Sequence, residues 1–281
     1  MKSVLGIRRA SKFSPNHTNN DSLIFSLTVE ELEKNGCKVS WMTEEEFAET
    51  ENIQEEVVFS MIRDMENVEK LKQLEKQGKK IINSGTGIEN CFRKNMTELL
   101  LDNNIPYPRS RVLATKDDSK IAFEELGGKN VWIKRGDFHT VHKEDIAFCR
   151  DHEEGDNILK EFAVRGIPSA VLSEHLTGDL VKFYAVRETP FFFWFYPFDA
   201  NHLMMGAQNT EQTRHYDFNE ENLIFLANRA AEVLKVDVYG GDAIISSDGQ
   251  IHLIDLNDWP SFAPCRDEAS KYIAQAVINQ F

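Results

Sequence analysis

The chain has 281 residues, 41% of them hydrophobic and 28% charged, with a formal net charge of -14. That is the make-up of a globular protein with room for two or three packed lobes, and its acidity argues against a general affinity for nucleic acid or anionic membranes. The four cysteines (Cys37, Cys91, Cys149, Cys265) form no CxxC pair, so zinc and redox-dithiol chemistry lack support. No apolar run approaches the length of a membrane span, and Val4–Ile7 gives way at once to Arg8 and Arg9, so the chain reads as cytoplasmic.

Ser3 to Ile7 reads as a first buried strand, and a basic loop without acids follows it, 8–20. Leu23, Phe25, Leu27 and Leu32 give a helix over 21–34 its apolar face, and Gly36 stops it. Strand is expected at 38–42 and 55–61, helix at 67–77 and strand at 79–83. Such alternation predicts a small parallel-sheet domain over residues 1–90. A helix over 91–103 then meets Ile105-Pro106-Tyr107-Pro108, extended because each proline turns its predecessor away from α. Further strands are expected at 131–134, 170–172 and 181–187, with a helix at 156–164. The aromatic run Phe191–Tyr196, bounded by Pro190 and Pro197, reads as a buried strand, and helices are expected over 219–234 and 267–281.

The most informative stretch is Tyr239 to Phe262. It places Asp242 on one strand and Asp255 with Asn257 on the next, joined by a turn at Asp248-Gly249. Side chains alternate along a strand, so Asp255 and Asn257 share a face, and a hairpin sets Asp242 opposite them. Three hard oxygen donors at the end of two apolar strands suit Mg²⁺, or Mn²⁺, with phosphate oxygens and water completing the shell. The chain has no Gly-x-Ser-x-Gly, no Walker A loop and no His-Glu-x-x-His, so a serine hydrolase, a P-loop NTPase and a zinc protease lack support.

Four segments occur in a telling order: IINSGTGIENCFRKNMTELLLDNNIPYPRSRVL (81–113), VWIKRGD (131–137), LSEHLTGDLVKFYAV (172–186) and the hairpin. Together they resemble the ATP-grasp superfamily over almost the whole chain, within the group of glutathione synthetase-like and ribosomal-protein-modifying ligases and inositol phosphate kinases. The resemblance implies an α/β protein: a parallel-sheet domain (1–90), a helix plus small lid lobe (91–172), and an antiparallel-sheet lobe with the metal site (173–281). By the same resemblance Lys94 and Lys134 would touch ATP phosphates, and Glu174, His175 and Leu176 would form the adenine hinge. Asp179 would bind ribose, Lys182 would join the nucleotide contacts, and Asp242, Asp255 and Asn257 would hold the metal. Lys134 and Arg187 are the candidate catalytic residues. Arg8, Arg9, Lys12, His17, Ser261 and Arg266 would line an acceptor site for a small anionic substrate.

The function implied is an ATP- and Mg-dependent ligase that joins a carboxylate to an amine through an acyl phosphate. Two departures keep alternatives open. The lid loop 135–142 has one glycine, Gly136, leaving His139 or His142 as possible phosphate contacts, and Asp255-x-Asn257 before an aromatic and Pro260 looks more like the inositol phosphate kinases. A small-molecule kinase and an ATP-binding protein without turnover are therefore the competing readings, and a homodimer is compatible with all three.

Overall fold

The computed structural model describes residues 2–15, 18–199 and 213–281. Three four-stranded sheets carry the fold. The first is parallel, in the order β2-β1-β3-β4, from β1 (Ser3–Arg8), β2 (Lys38–Thr43), β3 (Val57–Ser60) and β4 (Lys80–Ile82). Its crossovers run through α1 (Thr18–Lys34), α2 (Glu44–Glu49) and α3 (Met65–Lys76). Local chemistry sets the boundaries. Thr43 ends β2 and starts α2 through a reciprocal cap in which its hydroxyl accepts from Glu46 N–H and the Glu46 carboxylate accepts from Thr43 N–H. Gly6 sits where two rings meet: a Cβ there would lie 2.5 Å from Phe59 and 2.8 Å from Phe25.

The second sheet, in the order β5-β8-β6-β7, is antiparallel: β5 (Ser110–Ala114), β6 (Val131–Arg135), β7 (Ile146–Cys149) and β8 (Ser169–Glu174). Two helices, α6 (Lys120–Glu125) and α7 (His152–Val164), cover one face, where Val131, Ile133 and Leu172 pack on Phe123, Leu159 and Phe162. Alternation along β6 leaves Trp132 and Lys134 on the uncovered face.

The third sheet is antiparallel, in the order β10-β9-β11-β12, from β9 (Asp179–Val186), β10 (Phe192–Phe195), β11 (Val238–Ile245) and β12 (Ile251–Asp258). Val181, Phe183, Tyr239, Ala243, Leu253 and Leu256 form its buried face. Against them pack α8 (Glu220–Leu234) and α5 (Arg93–Asp102), which follows the short α4 (Gly85–Asn90). The sequence reading grouped the helix at 91–103 with the lid lobe, but its apolar stripe belongs to this third core. The last helix, α9 (Arg266–Ile278), returns to the first lobe, where Ala269, Ile273 and Val277 share a core with Ile24, Leu32 and Phe59. The aromatic run departs from expectation. It forms the edge strand β10, and only Phe191 and Phe195 of the run are buried, because an edge position leaves Phe193 and Trp194 half covered.

Candidate active site

Two cross-strand rows define the open face of the third sheet. Lys182, Asp242 and Asp255 stand level across β9, β11 and β12, and Tyr184, Gly240 and Asn257 form the next row. The β11–β12 register shifts at Asp242/Ala243, where Ile254 is the extra residue opposite, so Asp255 comes level with Asp242. Lys182 Nζ donates to Asp242 Oδ1 at 2.7 Å. Asp255 Oδ2 accepts from Arg93 Nη2 at 3.2 Å, and the same nitrogen reaches Thr140 Oγ1 at 3.3 Å. Burial alone would raise the Asp255 carboxyl, but Arg93 and Lys134 hold it below the usual range. Lys134 faces the same charges from the second sheet. Burial, with Arg93 adding to it, brings its ammonium down to about 8 against the pull of Asp255 and Asp242.

Beside Lys94 the helix carries a second cation, Arg93, that the sequence reading did not single out. Lys94 is exposed, and its backbone N–H is bonded to Gly136 O at 2.8 Å. Arg93 is 2% exposed and enters from the first turn of α5. The signal was present in the chain: residues 93, 96, 97 and 100 make one i, i+3, i+4, i+7 stripe, and all four are buried.

At the hinge Glu174 is held by Arg109, whose backbone N–H and Nε both donate at 2.8 Å. His175 Nδ1 accepts from Trp132 Nε1 at 3.1 Å, and Leu176 lies half-buried beside it. Asp179 is not a free ribose ligand as expected. It is 4% exposed, and its two oxygens accept from the N–H groups of Arg214 (2.7 Å) and Tyr216 (2.8 Å), which ties down the approach to α8.

The lid loop is anchored by packing and not by glycines. Phe138 enters the first lobe's core, with its ring centroid 5.4 Å from that of Phe13 and 4.9 Å from that of Phe92. Asp145 accepts from the N–H groups of Val141 and His142, both at 2.9 Å. His139 is buried, with Nε2 2.8 Å from Asp258 Oδ1 but without hydrogen-bond alignment. Burial, then Arg63, pushes the His139 imidazole down to about 4, so it is neutral at pH 7. Arg63 and Arg9 therefore balance the fully buried Asp258, at 3.7 and 3.9 Å. His142 is exposed.

Several expected substrate residues are already engaged. Arg9 is buried and spends its donors on Met61 O (3.2 Å), Asp21 (3.0 Å) and Trp259 O (3.0 Å), so it is a strut between lobes. Lys12 pairs with Asp64 at 3.2 Å. Arg187 lies five residues beyond Lys182, on the opposite face by alternation, and is locked to Asp237 at 2.6 Å, away from the Lys182 row. Ser261 O accepts from Arg266 Nε at 3.2 Å, and Arg266 also reaches Asn20. His17 lies outside the described residues. Arg8 differs: its guanidinium stacks over Trp41 at 5.6 Å and lines a cavity of about 150 Å³ with Ser11, Ser14, Thr18, Thr43 and the acids Asp21 and Glu45, at the carboxyl ends of β1 and β2. Ligands of open parallel sheets collect at that end. A larger depression of about 550 Å³, lined by Lys2, Gln54 and Phe281, lies at the amino ends, remote from these groups.

The donor set suits a hard divalent cation. Asp242 and Asp255 face each other across one ladder, Asn257 adds an amide oxygen on the same face, and flanking cations keep Asp255 ionised. Among the described residues no three His, Cys, Asp or Glu side chains gather for a metal, so Asn257 is needed to complete the set. Arg93 Nε and Nη1 are buried without partners among the described residues, donors suited to anionic oxygens.

No family model matches the chain, and no curated protein matches it. Solved structures do. The D-alanyl-alanine synthetase A of Vibrio cholerae is 14% identical over 99% of this chain and 98% of its own, with a TM-score of 0.70. A Bacillus anthracis D-alanine–D-alanine ligase complexed with ATP is 11% identical over 100% and 98%, with a TM-score of 0.68. A RimK domain protein, ATP-grasp, from Sphaerobacter thermophilus is 15% identical over 98% and 99%, with a TM-score of 0.68. Identities this low speak only to architecture, but the likeness runs from end to end and takes in all three sheets: the chain has the ATP-grasp fold.

Proposed function

We propose that the protein is an ATP-dependent carboxylate–amine ligase. The observation that carries the reading is the facing of Arg93, Lys134 and Lys182 on Asp242, Asp255 and Asn257, cations against hard oxygen donors on the open faces of two sheets. The base would lie at the hinge, against Trp132 and the backbone of 174–176, with the phosphates toward the Lys182 row. Asp242, Asp255 and Asn257 would hold Mg²⁺, which when bound neutralises phosphate charge.

In the reaction a carboxylate oxygen attacks the γ-phosphorus, the bridging P–O bond breaks with its electron pair, and ADP leaves. The amine nitrogen then attacks the acyl carbon, the C–O bond to phosphate breaks, and inorganic phosphate leaves while the nitrogen's proton passes to solvent. Arg93, Lys134 and Lys182 hold the phosphates and spread the charge that develops on them, and no side-chain nucleophile is required. Phe138, buried in the first lobe, anchors the lid loop, whose Thr140 reaches Arg93. The acceptor would enter beside Arg8, the cation of the expected basic loop that the described residues leave without an ion pair.

The structural neighbours support a ligase over a kinase, since the names of two of those cited describe a synthetase and a ligase. So does the fate of the expected acceptor cations: with Arg9 and Lys12 engaged, Arg8 and Arg266 are left without a carboxylate partner among the described residues, few for a polyphosphorylated alcohol. We place the reaction in the cytoplasm; among the described residues no helix is long and apolar enough to cross a membrane. The test is incubation with Mg·ATP and pooled carboxylates, amines, peptides and inositol phosphates, with ADP and free phosphate assayed separately and hydroxylamine added to trap acyl phosphate. Equal ADP and phosphate with hydroxamate formation is expected. Phosphate retained on an alcohol would overturn the ligase assignment.

A further inference from the structure

Along β9 the open face is ordered from base to acceptor. The hinge stands at Glu174–Asp179, Lys182 is level with Asp242 and Asp255, and Tyr184 is level with Gly240 and Asn257. At about 3.4 Å per residue, Tyr184 lies about 17 Å from the start of β9 and about 7 Å beyond Lys182. A nucleotide with its base at the hinge and its phosphates at the Lys182 row points its terminal phosphoryl group toward Tyr184.

Gly240 makes the place for that ring. A Cβ there would lie 2.6 Å from Tyr184 Cδ1, 2.8 Å from Phe183 O and 2.9 Å from Pro260 Cγ, so the tyrosine occupies the space a side chain would take. Phe262 and Phe195 brace the ring at 5.3 and 6.1 Å, yet the residue stays partly exposed. No described residue hydrogen-bonds its phenol, although every other polar side chain of the two rows except Asn257 is paired.

We propose that Tyr184 donates a hydrogen bond to the phosphoryl group as it passes from ATP to the acceptor, and so marks the acceptor end of the site. The inference rests on the nucleotide placement above. A phenol is protonated at neutral pH, and burial pushes this one further up, which suits a donor and not a base. Tyr184→Phe keeps the ring and its packing and removes only the donor.

Calorimetry with Mg·ADP, alone and with fluoroaluminate as a mimic of the transferring phosphoryl group, tests the proposal without knowledge of the acceptor. Wild type is expected to bind the fluoroaluminate complex more tightly than Mg·ADP. Tyr184→Phe should keep its Mg·ADP affinity and lose at least about tenfold for the fluoroaluminate complex, in line with the loss of one charge-stabilising donor. Gly240→Ala, which drives the ring aside, should lose the same discrimination. An unchanged ratio in Tyr184→Phe, or no gain from fluoroaluminate in wild type, overturns the role of Tyr184 while leaving nucleotide binding intact. Failure of wild type to bind Mg·ADP overturns the nucleotide placement and this proposal together.

Discussion

Arg93 and Lys94 are adjacent cations at the start of one helix, and replacing each with methionine separates their roles. Arg93 is 2% exposed and paired with Asp255, whose side chain is 18% exposed. Removing one partner of a buried pair costs about 3–5 kcal/mol, because the other charge is left uncompensated. Asp255 keeps some solvent contact and the nearby Lys134, which sets the expectation at about 3 kcal/mol, the lower end. At about 2–4 °C per kcal/mol for a chain of this size, Arg93→Met should melt about 6–12 °C below wild type. Lys94→Met removes an exposed head group and should stay within about 0.5 kcal/mol of wild type. Arg93→Met/Asp255→Asn should regain part of the loss, since the carboxylate that Arg93 balanced is gone while Lys134 loses one of its two acids. Calorimetric titration with Mg·AMP-PNP adds the functional arm: about tenfold or greater weakening in Arg93→Met and none in Lys94→Met. If both single variants melt and bind alike, Arg93 is not the cation of the site and the helix has been placed the wrong way round.

Asp255→Ala and Asn257→Ala should each abolish Mg²⁺-dependent ADP release while keeping the far-ultraviolet circular dichroism of wild type; near-normal turnover in either removes it from the metal set. Triphosphate binding favours protonated Lys134, so Mg·AMP-PNP affinity should be flat from pH 6.5 to 7.5 and fall as pH rises through about 8, the position of its ammonium. Lys134→Arg, protonated throughout, should remove that fall, and an identical profile in the variant would assign the titration elsewhere. Arg63, with Arg9 beside it, holds the buried Asp258 carboxyl below its usual range against burial, which by itself would raise it. The stability it contributes is present above the unfolded value near 4 and is lost as pH falls below it, so Asp258→Asn should flatten the acid limb of the stability curve; an unchanged limb in urea titrations at stepped pH would count against the pairing.

Much of this was legible in the chain because periodicity and turn chemistry are local. The stretch 239–262, with its turn at Asp248-Gly249, announced a hairpin with Asp255 and Asn257 on one face, but an unbroken ladder would set Asp242 against Ile254, and only the bulge there brings Asp255 level with it. What misled were residues whose partners are distant in sequence. Asp179 looks like a free acid until the N–H groups of Arg214 and Tyr216, 35 and 37 residues on, fill its oxygens. Arg9 looks like a substrate cation until Asp21, Met61 and Trp259 take its donors, the last two 52 and 250 residues away along the chain. Arg187 is likewise spoken for by Asp237, 50 residues away. Composition reveals that a charge exists, and only tertiary contact reveals whether it is already satisfied.

The same logic explains why the lid loop manages with one glycine. Many loops that fold over a phosphate need backbone freedom; this one is positioned by side chains, with Phe138 in the first lobe's core, Asp145 capping Val141 and His142, and His139 against Asp258. Asp258 directly follows Asn257 on β12 and is gripped by Arg63 and Arg9 from the first lobe. One buried carboxylate therefore joins all three lobes immediately behind the candidate metal ligands. Its desolvation is costly, and a hydrophobic residue there would serve stability as well or better. What a hydrophobic residue could not do is balance the buried guanidinium groups of Arg63 and Arg9, which lie 3.7 and 3.9 Å from Asp258, so the charge on β12 next to Asn257 is also what lets the first lobe bury its two arginines there.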